Sequence, residues 1–156
     1  MTHLTVVVPV FNEQDSLVEL HRQLRACALK NDYHIRIVFV DDGSTDQSWQ
    51  EIHKLAASDV GVLGIRFRRN FGKAAALSAG FDVAEDPYVV TMDADLQDDP
   101  NELPLLLAKL HEGFDVVSGW KVDRQDPWHK TVPSLFFNRL VGAMTGVRLH
   151  DHNCGF

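Results

Sequence analysis

The chain has 156 residues, of which 45% are hydrophobic, and it carries a formal net charge of −7 at pH 7. That length allows one buried core, so we expect a single domain over residues 1–156. The acidic balance argues against a nucleic-acid partner, because proteins bind a phosphate backbone through an excess of Lys and Arg. A small phosphate-bearing ligand stays compatible, since a bound divalent cation can supply positive charge locally.

The cysteines and the first residues bear on the cellular setting. Cys27 and Cys154 lie far apart without metal-ligand spacing, and Cys27 falls in a helical pattern as a small core residue, which fits a reduced cytosolic setting. No signal peptide is predicted, because Met1 leads almost directly into the apolar run LTVVVPV. No apolar run approaches the roughly 20 residues that cross a bilayer, so we expect a soluble chain.

Short β-branched apolar runs alternate with amphipathic segments along the chain. The predicted strands are 4–10, 35–41, 60–67, 87–93 and 114–120, and the predicted helices are 14–30, 46–57, 72–84 and 100–111. Continuous rather than alternating hydrophobicity favours a parallel sheet covered on both faces. The alternation of strands and helices predicts βαβ units with right-handed crossovers. A polar loop over 121–130 and a helix over 134–146 complete the prediction.

A polar cluster follows each of the first four predicted strands. These clusters read FNE, DDGS, RRNFGK and DADLQDD in chain order. Open parallel sheets bind ligands beyond the carboxyl ends of their strands. The sequence therefore predicts one site at one edge of the sheet.

Asp93-Ala94-Asp95 is the cluster with the clearest chemistry. Residues i and i+2 of an extended chain point the same way, so both carboxylates can face one ion, with Gln97 as a further oxygen ligand. Such ligands suit Mg²⁺ or Mn²⁺. The alternative is a solvated acidic turn leading to a helix at Pro100, the commoner meaning of an isolated match. The coincidence of four clusters favours the metal site.

The two earlier clusters suit a nucleoside. Asp41 and Asp42 can accept hydrogen bonds from ribose or base, and Gly43 permits a tight turn. The alternative reading there is helix capping by Ser44 or Thr45.

At the end of the first strand, Phe11 can stack on a base, and Asn12 or Glu13 can bind base or ribose. Taken alone, this segment is better explained as a strand end with a hydrophobic staple.

Positive charge concentrates in residues 66–73. This segment is neither a P-loop nor a dinucleotide fingerprint, because the required glycines and the Ser/Thr are missing. Cations before a helix N-terminus can still stabilise a diphosphate, and Lys73 is the residue we expect near phosphate. Arg66 and Arg68 fit a solvated loop as well. The later basic residues are mostly expected to be solvated: Lys121, Arg124, Lys130 and Arg139. Metal binding by His150-Asp151-His152 is disfavoured.

Taken together, the ordered motifs resemble a known enzyme family. They read VVVPVFNE, VDDGSTD, RNFGKAAALSAG, VVTMDADLQDDP, DVVSGWK and LHDHNCGF. This set is similar to glycosyltransferase family 2, and in particular to its polyprenyl-phosphate branch, which includes dolichyl-phosphate mannosyltransferases and bacterial undecaprenyl-phosphate glycosyltransferases. The resemblance covers the whole chain and is far more specific than the DxD pair alone.

The resemblance implies a GT-A type nucleotide-diphospho-sugar transferase fold, a Rossmann-like, mainly parallel sheet with helices on both faces. It implies a nucleotide site formed by Pro9, Phe11, Glu13, Val40, Asp42, Asp93 and Ala94, joined by Lys73 from the basic cluster. The implied ligands of Mg²⁺ or Mn²⁺ are Asp93, Asp95 and Gln97. The implied catalytic residues are Asp95, Lys121, Arg124 and Asp151. Many relatives carry Arg in place of Lys121.

The implied activity is inverting, metal-dependent transfer from a nucleotide-diphosphate sugar to a polyprenyl phosphate. Transfer to a glycan hydroxyl and a non-catalytic nucleotide-sugar-binding module are the alternatives. Relatives usually continue with amphipathic or transmembrane helices near the C-terminus, which places the enzyme at the cytoplasmic face of the membrane, with membrane contact through that missing part. A homo-oligomer is compatible with the resemblance, and the sugar and the base stay open.

Overall fold

A computed structural model describes residues 1–119, which form a parallel sheet flanked by helices. The elements are β1 (Thr2–Val10), α1 (Leu17–Asn31), β2 (Tyr33–Asp41), α2 (Ser48–Ser58), β3 (Val62–Arg66), α3 (Lys73–Phe81), β4 (Tyr88–Thr91), a 3₁₀ turn (Pro100–Glu102) and α4 (Leu103–Leu110). The four strands lie in the order β3-β2-β1-β4, and every neighbouring pair is parallel. The predicted alternation of strands and helices is confirmed over this part of the chain. Two compact units divide the chain, Met1–Pro104 and Leu105–Phe156, and the whole sheet lies in the first.

The central strands form the core. Leu4, Val6 and Val8 of β1 and Ile37 and Phe39 of β2 are fully buried, because each strand has hydrogen-bonded neighbours on both sides and helices over its faces. The two outer strands of the described sheet differ, because apart from Val62 their residues are partly covered or exposed. Burial on both faces, predicted for all strands, therefore holds for β1 and β2 alone among residues 1–119.

The apolar stripe of α1 packs as its spacing predicts. Leu17, Leu20, Leu24 and Ala28 are all buried. Cys27 is buried beside them, and its Sγ donates to the carbonyl oxygen of Pro100 at 3.1 Å. The thiol therefore links α1 to the 3₁₀ turn as a small core residue.

The packing of α3 on β1 depends on a glycine. A Cβ placed on Gly80 would overlap the Val7 side chain. The absence of a side chain lets the helix backbone approach the strand, and this approach fixes where the first residue of α3, Lys73, stands relative to the strand ends.

The strand predicted over 114–120 is wrong where the structure describes it, because residues 114–119 form neither strand nor helix. Phe114 and Val116 are exposed, and an apolar run becomes a strand only where it gains ladder partners and burial. The loop predicted over 121–130, the helix over 134–146 and Cys154 lie outside the described residues. No helix among residues 1–119 has the length and apolar character needed to span a membrane.

A partly buried cluster of charged side chains links α1 to the connection between α2 and β3. Asp59 Oδ2 lies 2.7 Å from His21 Nε2 and accepts from Arg25 Nε at 2.6 Å, while Asp59 Oδ1 accepts from the Gly61 N–H at 2.9 Å. Burial alone would raise the pKa of the Asp59 carboxyl, but these hydrogen bonds together outweigh it and lower the pKa from 3.8 to about 2. The ionised carboxylate therefore stabilises the folded chain.

We predict that Asp59→Asn lowers the free energy of unfolding by about 2 kcal/mol at neutral pH. A carboxyl whose pKa is lowered by folding stabilises the folded chain at pH values above its ordinary pKa. The difference in free energy of unfolding between the two proteins should therefore shrink as the pH falls from about 4 to about 2. Urea unfolding at a series of pH values measures this difference in free energy of unfolding. Glu85→Gln is the matched control, because the Arg36–Glu85 pair at 3.0 Å is exposed and should change stability by less than about 1 kcal/mol. A difference that stays constant down to pH 2 would contradict the assignment.

Candidate functional site

One cavity of about 350 Å³ lies at the carboxyl ends of the strands, within the first compact unit. The carboxyl end of β1 and the segments that follow the four strands line it. The lining residues are Pro9, Val10, Phe11, Glu13, Asp42, Asn70, Gly72, Lys73, Asp93, Ala94 and Asp95. The predicted meeting of the polar clusters at one edge of the sheet is therefore seen in the structure. Asp42 and Asp95 face the same cavity rather than opposite sides of the molecule.

The end of β1 supplies an aromatic ring and a carboxylate. Phe11 lines the cavity with about half of its surface exposed. Glu13 lines it as well, and burial together with the negative charge of Asp95 raises the pKa of its carboxyl. A hydrogen bond from Ser16 opposes this shift, while Asp46 and Asp93 add to it. Glu13 is thus in the electrostatic field of the DxD pair.

Asn12 turns away from the cavity. Its backbone is left-handed, with φ of 59°, and its Oδ1 accepts from the Thr45 N–H at 2.8 Å and from Thr45 Oγ1 at 3.2 Å. The Asn12 N–H donates to Ser44 Oγ at 3.0 Å. Of the two side chains predicted to reach a base or ribose, Glu13 lines the cavity, whereas Asn12 joins the loop after β1 to the loop after β2.

The same two loops are joined at three further points. The Glu13 N–H donates to Ser48 Oγ at 2.9 Å, the Gln14 N–H donates to Asp46 Oδ2 at 3.3 Å, and the Gln47 N–H donates to Gln14 Oε1 at 2.9 Å. Together with the Asn12 contacts, these bonds define what we call the loop clasp. It holds the residues after β1 and β2 at a fixed spacing.

The alternative reading of this cluster, capping of α2 by Ser44 or Thr45, is wrong. The helix begins at Ser48, and the Asp46 Oδ1 accepts from the Ser48 N–H at 2.9 Å. Both hydroxyl residues instead bind Asn12, which uses their hydrogen-bonding capacity in the loop clasp.

Asp42 holds the loop that leads into α3. Its side chain is only 4% exposed, and its Oδ1 and Oδ2 accept from the N–H groups of Phe71 at 2.7 Å and Gly72 at 2.9 Å. A carboxylate has about four lone-pair positions, so about two remain open to a ligand. Gly43 has the predicted positive φ, 74°, and a Cβ there would overlap the Arg69 backbone. A glycine is therefore needed for both the turn and the close approach.

The neighbouring Asp41 is fully buried and pairs elsewhere. Its Oδ1 accepts from the Ser44 N–H at 2.9 Å, and its Oδ2 lies 3.5 Å from Arg66 Nε. The Arg66 guanidinium also lies over the Trp49 ring, 5.4 Å from its centroid. Arg66 and Arg68 are absent from the residues that line the cavity, so the basic cluster divides and Lys73 is its member that faces the site.

The DxD segment forms the opposite wall. Asp93 Oδ1 accepts from Lys73 Nζ at 2.5 Å, and Asp95 Oδ1 accepts from the Gln97 N–H at 3.0 Å. Ala94 is almost fully buried between the two acids. Leu96 has a left-handed backbone, with φ of 62°, and the Gln97 side chain is exposed and does not line the cavity.

The carboxylates of the DxD segment fit one kind of metal site. Over residues 1–119, no group of three or more acidic, histidine or cysteine side chains could hold a metal ion. Two carboxylates, Asp93 and Asp95, are nevertheless enough for Mg²⁺, which is commonly bound through one or two carboxylates, with waters and substrate phosphates completing its coordination. The arrangement fits a divalent cation that is shared with a diphosphate.

The remaining predicted site residues stand elsewhere. The Val40 side chain is fully buried in the core and does not line the cavity. Lys121, Arg124 and Asp151 lie outside the described residues, as do Lys130, Arg139, His150 and His152. Sequence reasoning did not single out Val10, Asn70 or Gly72, although they flank Phe11 and Lys73, so nearness to those residues was the available signal.

Comparison with known proteins places this geometry in a family. The sequence model described as Glycosyl transferase family 2 matches residues 5–155. The undecaprenyl-phosphate 4-deoxy-4-formamido-L-arabinose transferase of Pseudomonas aeruginosa (strain LESB58) is 40% identical over 152 residues, which cover 97% of this chain and 45% of the relative. The Shewanella sediminis protein of the same name is 41% identical, with coverage of 97% and 46%. The chain thus spans less than half the length of these relatives.

Solved structures share the fold. Glucosyl-3-phosphoglycerate synthase from Mycobacterium tuberculosis, in complex with UDP, gives a TM-score of 0.65 at 22% identity, covering 93% of this chain and 50% of the other. A mannosyltransferase from Pyrobaculum calidifontis, in complex with GDP-Man and Mn²⁺, gives 0.60 at 26% identity, covering 74% and 33%. These neighbours and the parallel sheet confirm the predicted GT-A type fold. With nearly its whole length matched by the family model, the chain belongs to glycosyl transferase family 2.

Proposed function

We propose that this chain is the catalytic part of an enzyme that transfers a sugar from a nucleotide-diphosphate sugar to a polyprenyl phosphate. The observation that carries the proposal is the cavity in which an aromatic ring, paired carboxylates and a lysine meet at the strand ends. The names of the curated relatives, which are undecaprenyl-phosphate sugar transferases, support the acceptor class. Structural neighbours bound to UDP and to GDP-Man support the donor class.

The nucleoside occupies the β1 and β2 side of the cavity. Phe11, half-exposed at the strand end, offers a face for base stacking. Glu13 and the open lone pairs of Asp42 offer acceptors for base N–H or ribose hydroxyl groups. The loop clasp and the Asp42 contacts hold these groups in place before the ligand arrives.

The diphosphate lies toward the DxD segment. Asp93 and Asp95 would hold Mg²⁺ or Mn²⁺, with Gln97 as a further ligand if its loop rearranges, and a bound cation would stabilise the charge of the departing nucleoside diphosphate. Lys73 adds a positive charge from the α3 side. This local charge explains how an acidic chain accommodates an anionic donor.

The acceptor chemistry follows from charge. The bond between the anomeric carbon and the diphosphate oxygen breaks, and positive charge develops on the sugar. An acceptor phosphate oxygen attacks from the opposite face in one displacement, which inverts the anomeric centre. A lipid phosphate is largely ionised at neutral pH, so no strong general base is needed, and Asp151 orients the sugar or the acceptor. Lys121 and Arg124 contact phosphate in this scheme.

The proposed reaction also indicates the domain organisation of the chain and where the enzyme works. We propose that residues 1–156 act as one GT-A catalytic domain and that the enzyme works at the cytoplasmic face of the membrane, where a polyprenyl phosphate acceptor resides. A glycan hydroxyl acceptor would instead require a base, for which Asp151 is the candidate.

The acceptor class can be tested directly. We expect the chain, produced together with the remaining length of its relatives, to transfer labelled sugar from a nucleotide donor to undecaprenyl phosphate. The product should be an acid-labile glycolipid. Transfer to a glycan hydroxyl alone would replace the proposed acceptor, and metal-dependent nucleotide binding without any turnover would indicate a binding module.

Asp95→Ala tests the metal assignment. We expect the affinity for UDP or GDP, titrated calorimetrically with Mn²⁺ present, to fall by about tenfold or more, a loss typical even for residues that only orient metal ligands. Asp82→Ala removes the same charge from an exposed position at the end of α3 and should leave the affinity unchanged. Unchanged affinity in Asp95→Ala would exclude Asp95 as a metal ligand.

A further inference from the structure

Lys73 stands at an unfavourable place for a cation. It is the first residue of α3, where the helix dipole is positive and repels positive charge. The first turn of this helix contains no acidic residue that could offset the repulsion. The carboxylate that holds Lys73 lies instead on the segment after β4, where Asp93 Oδ1 accepts from Lys73 Nζ at 2.5 Å.

The Lys73–Asp93 pair is accessible to solvent. The two side chains are 50% and 36% exposed, and ion pairs of this kind contribute little stability because water screens them and both side chains lose freedom. Such a pair exchanges partners readily. It is thus a contact that a stronger ligand can replace without disturbing the core.

Other charged residues near the cavity have partners outside the DxD segment. Asp42 is nearly buried and binds the N–H groups of Phe71 and Gly72. Arg66 is paired with the buried Asp41, and Arg69 lies over the Phe71 ring, 4.9 Å from its centroid. Lys73 is therefore the cation of the basic cluster that both lines the cavity and holds an exchangeable partner.

We infer that Lys73 is a built-in counter-ion of the metal site. Without a divalent cation, Lys73 neutralises Asp93. When the cation binds Asp93 and Asp95, Lys73 releases Asp93 and pairs with the diphosphate of the donor. The second half of this exchange rests on the proposed function, while the first half concerns the chain and the metal alone.

The exchange has a thermodynamic consequence. Divalent cation and ammonium compete for one carboxylate, and like charges a few ångströms apart repel each other even in water. The cation alone should therefore bind weakly. A nucleoside diphosphate gives Lys73 a new partner and removes the competition, so nucleotide and metal should strengthen each other's binding, by the same factor in both directions.

Lys73→Gln tests the first half. We expect the affinity for Mn²⁺ alone, measured from the free Mn²⁺ signal in electron paramagnetic resonance, to rise by about three- to tenfold at low ionic strength, because the competing charge is gone. The rise should diminish in high salt. Lys73→Arg keeps the charge and should bind Mn²⁺ as weakly as the unmodified chain. Circular dichroism melting establishes that both variants are folded.

Lys54→Gln is the matched control. Lys54 forms an exposed ion pair with Glu51 at 2.6 Å on α2, so this variant loses the same charge away from the cavity and should leave Mn²⁺ affinity unchanged. Equal or weaker Mn²⁺ binding in Lys73→Gln would overturn the inference. An equal rise in Lys54→Gln would reduce it to an effect of net charge, and absence of Mn²⁺ binding in every variant would overturn it together with the metal site.

The second half is tested with UDP and GDP. In the unmodified chain, a saturating nucleoside diphosphate should raise Mn²⁺ affinity, and in Lys73→Gln this enhancement should become several-fold smaller. If Lys73→Gln tightens Mn²⁺ binding but no variant binds a nucleotide, the counter-ion role stands and the proposed function fails. If nucleotides bind with Mn²⁺ but Lys73→Gln changes neither value, the proposed function stands and the counter-ion role fails.

Discussion

Mutual repulsion among carboxylates is the constraint that the site must satisfy. Glu13, Asp42, Asp93 and Asp95 line one cavity of about 350 Å³, and the raised pKa of Glu13, caused by burial and by the charges of Asp95, Asp46 and Asp93, records their proximity. Each acid has a donor: the Ser16 hydroxyl for Glu13, two backbone N–H groups for Asp42, one for Asp95 and the ammonium of Lys73 for Asp93. The donors permit several negative charges to coexist where a cation can later join them.

The framework that keeps these acids in place is made of strands and backbone hydrogen bonds. Parallel pairing of β1 with β2 and with β4 brings their carboxyl ends to one edge. The loop clasp then fixes the segments after β1 and β2, and Asp42 fixes the loop before α3. Most of these bonds join a side chain to a backbone group of another loop. Hydrogen bonds between loops therefore hold the side of the site where the nucleoside is expected, whereas the exposed Lys73–Asp93 pair can exchange partners.

Much of this arrangement is readable from the sequence because it depends on periodicity and on the order of strands. The apolar runs of β1 and β2 indicate buried strands, and the polar tips after them indicate the edge at which a ligand binds. What the sequence does not show is which neighbour each polar side chain selects. Asn12 binds Thr45 instead of facing the cavity, and Asp46 rather than Ser44 or Thr45 serves the start of α2. Residues 114–119 have strand-like composition without a strand, since burial and ladder partners are tertiary properties.

The basic cluster divides into an arginine that pairs internally and a lysine that lines the cavity. A chain with a net charge of −7 would repel a diphosphate if all of its cationic side chains formed internal ion pairs. Arg66 forms such an internal pair with the buried Asp41. The pair offsets part of the cost of burying the Asp41 charge. Lys73 is paired at the surface of the cavity, where the partner can be exchanged at small cost. Lys73 thus provides a positive charge beside the paired acids, and a divalent cation bound to them would release it toward the phosphate.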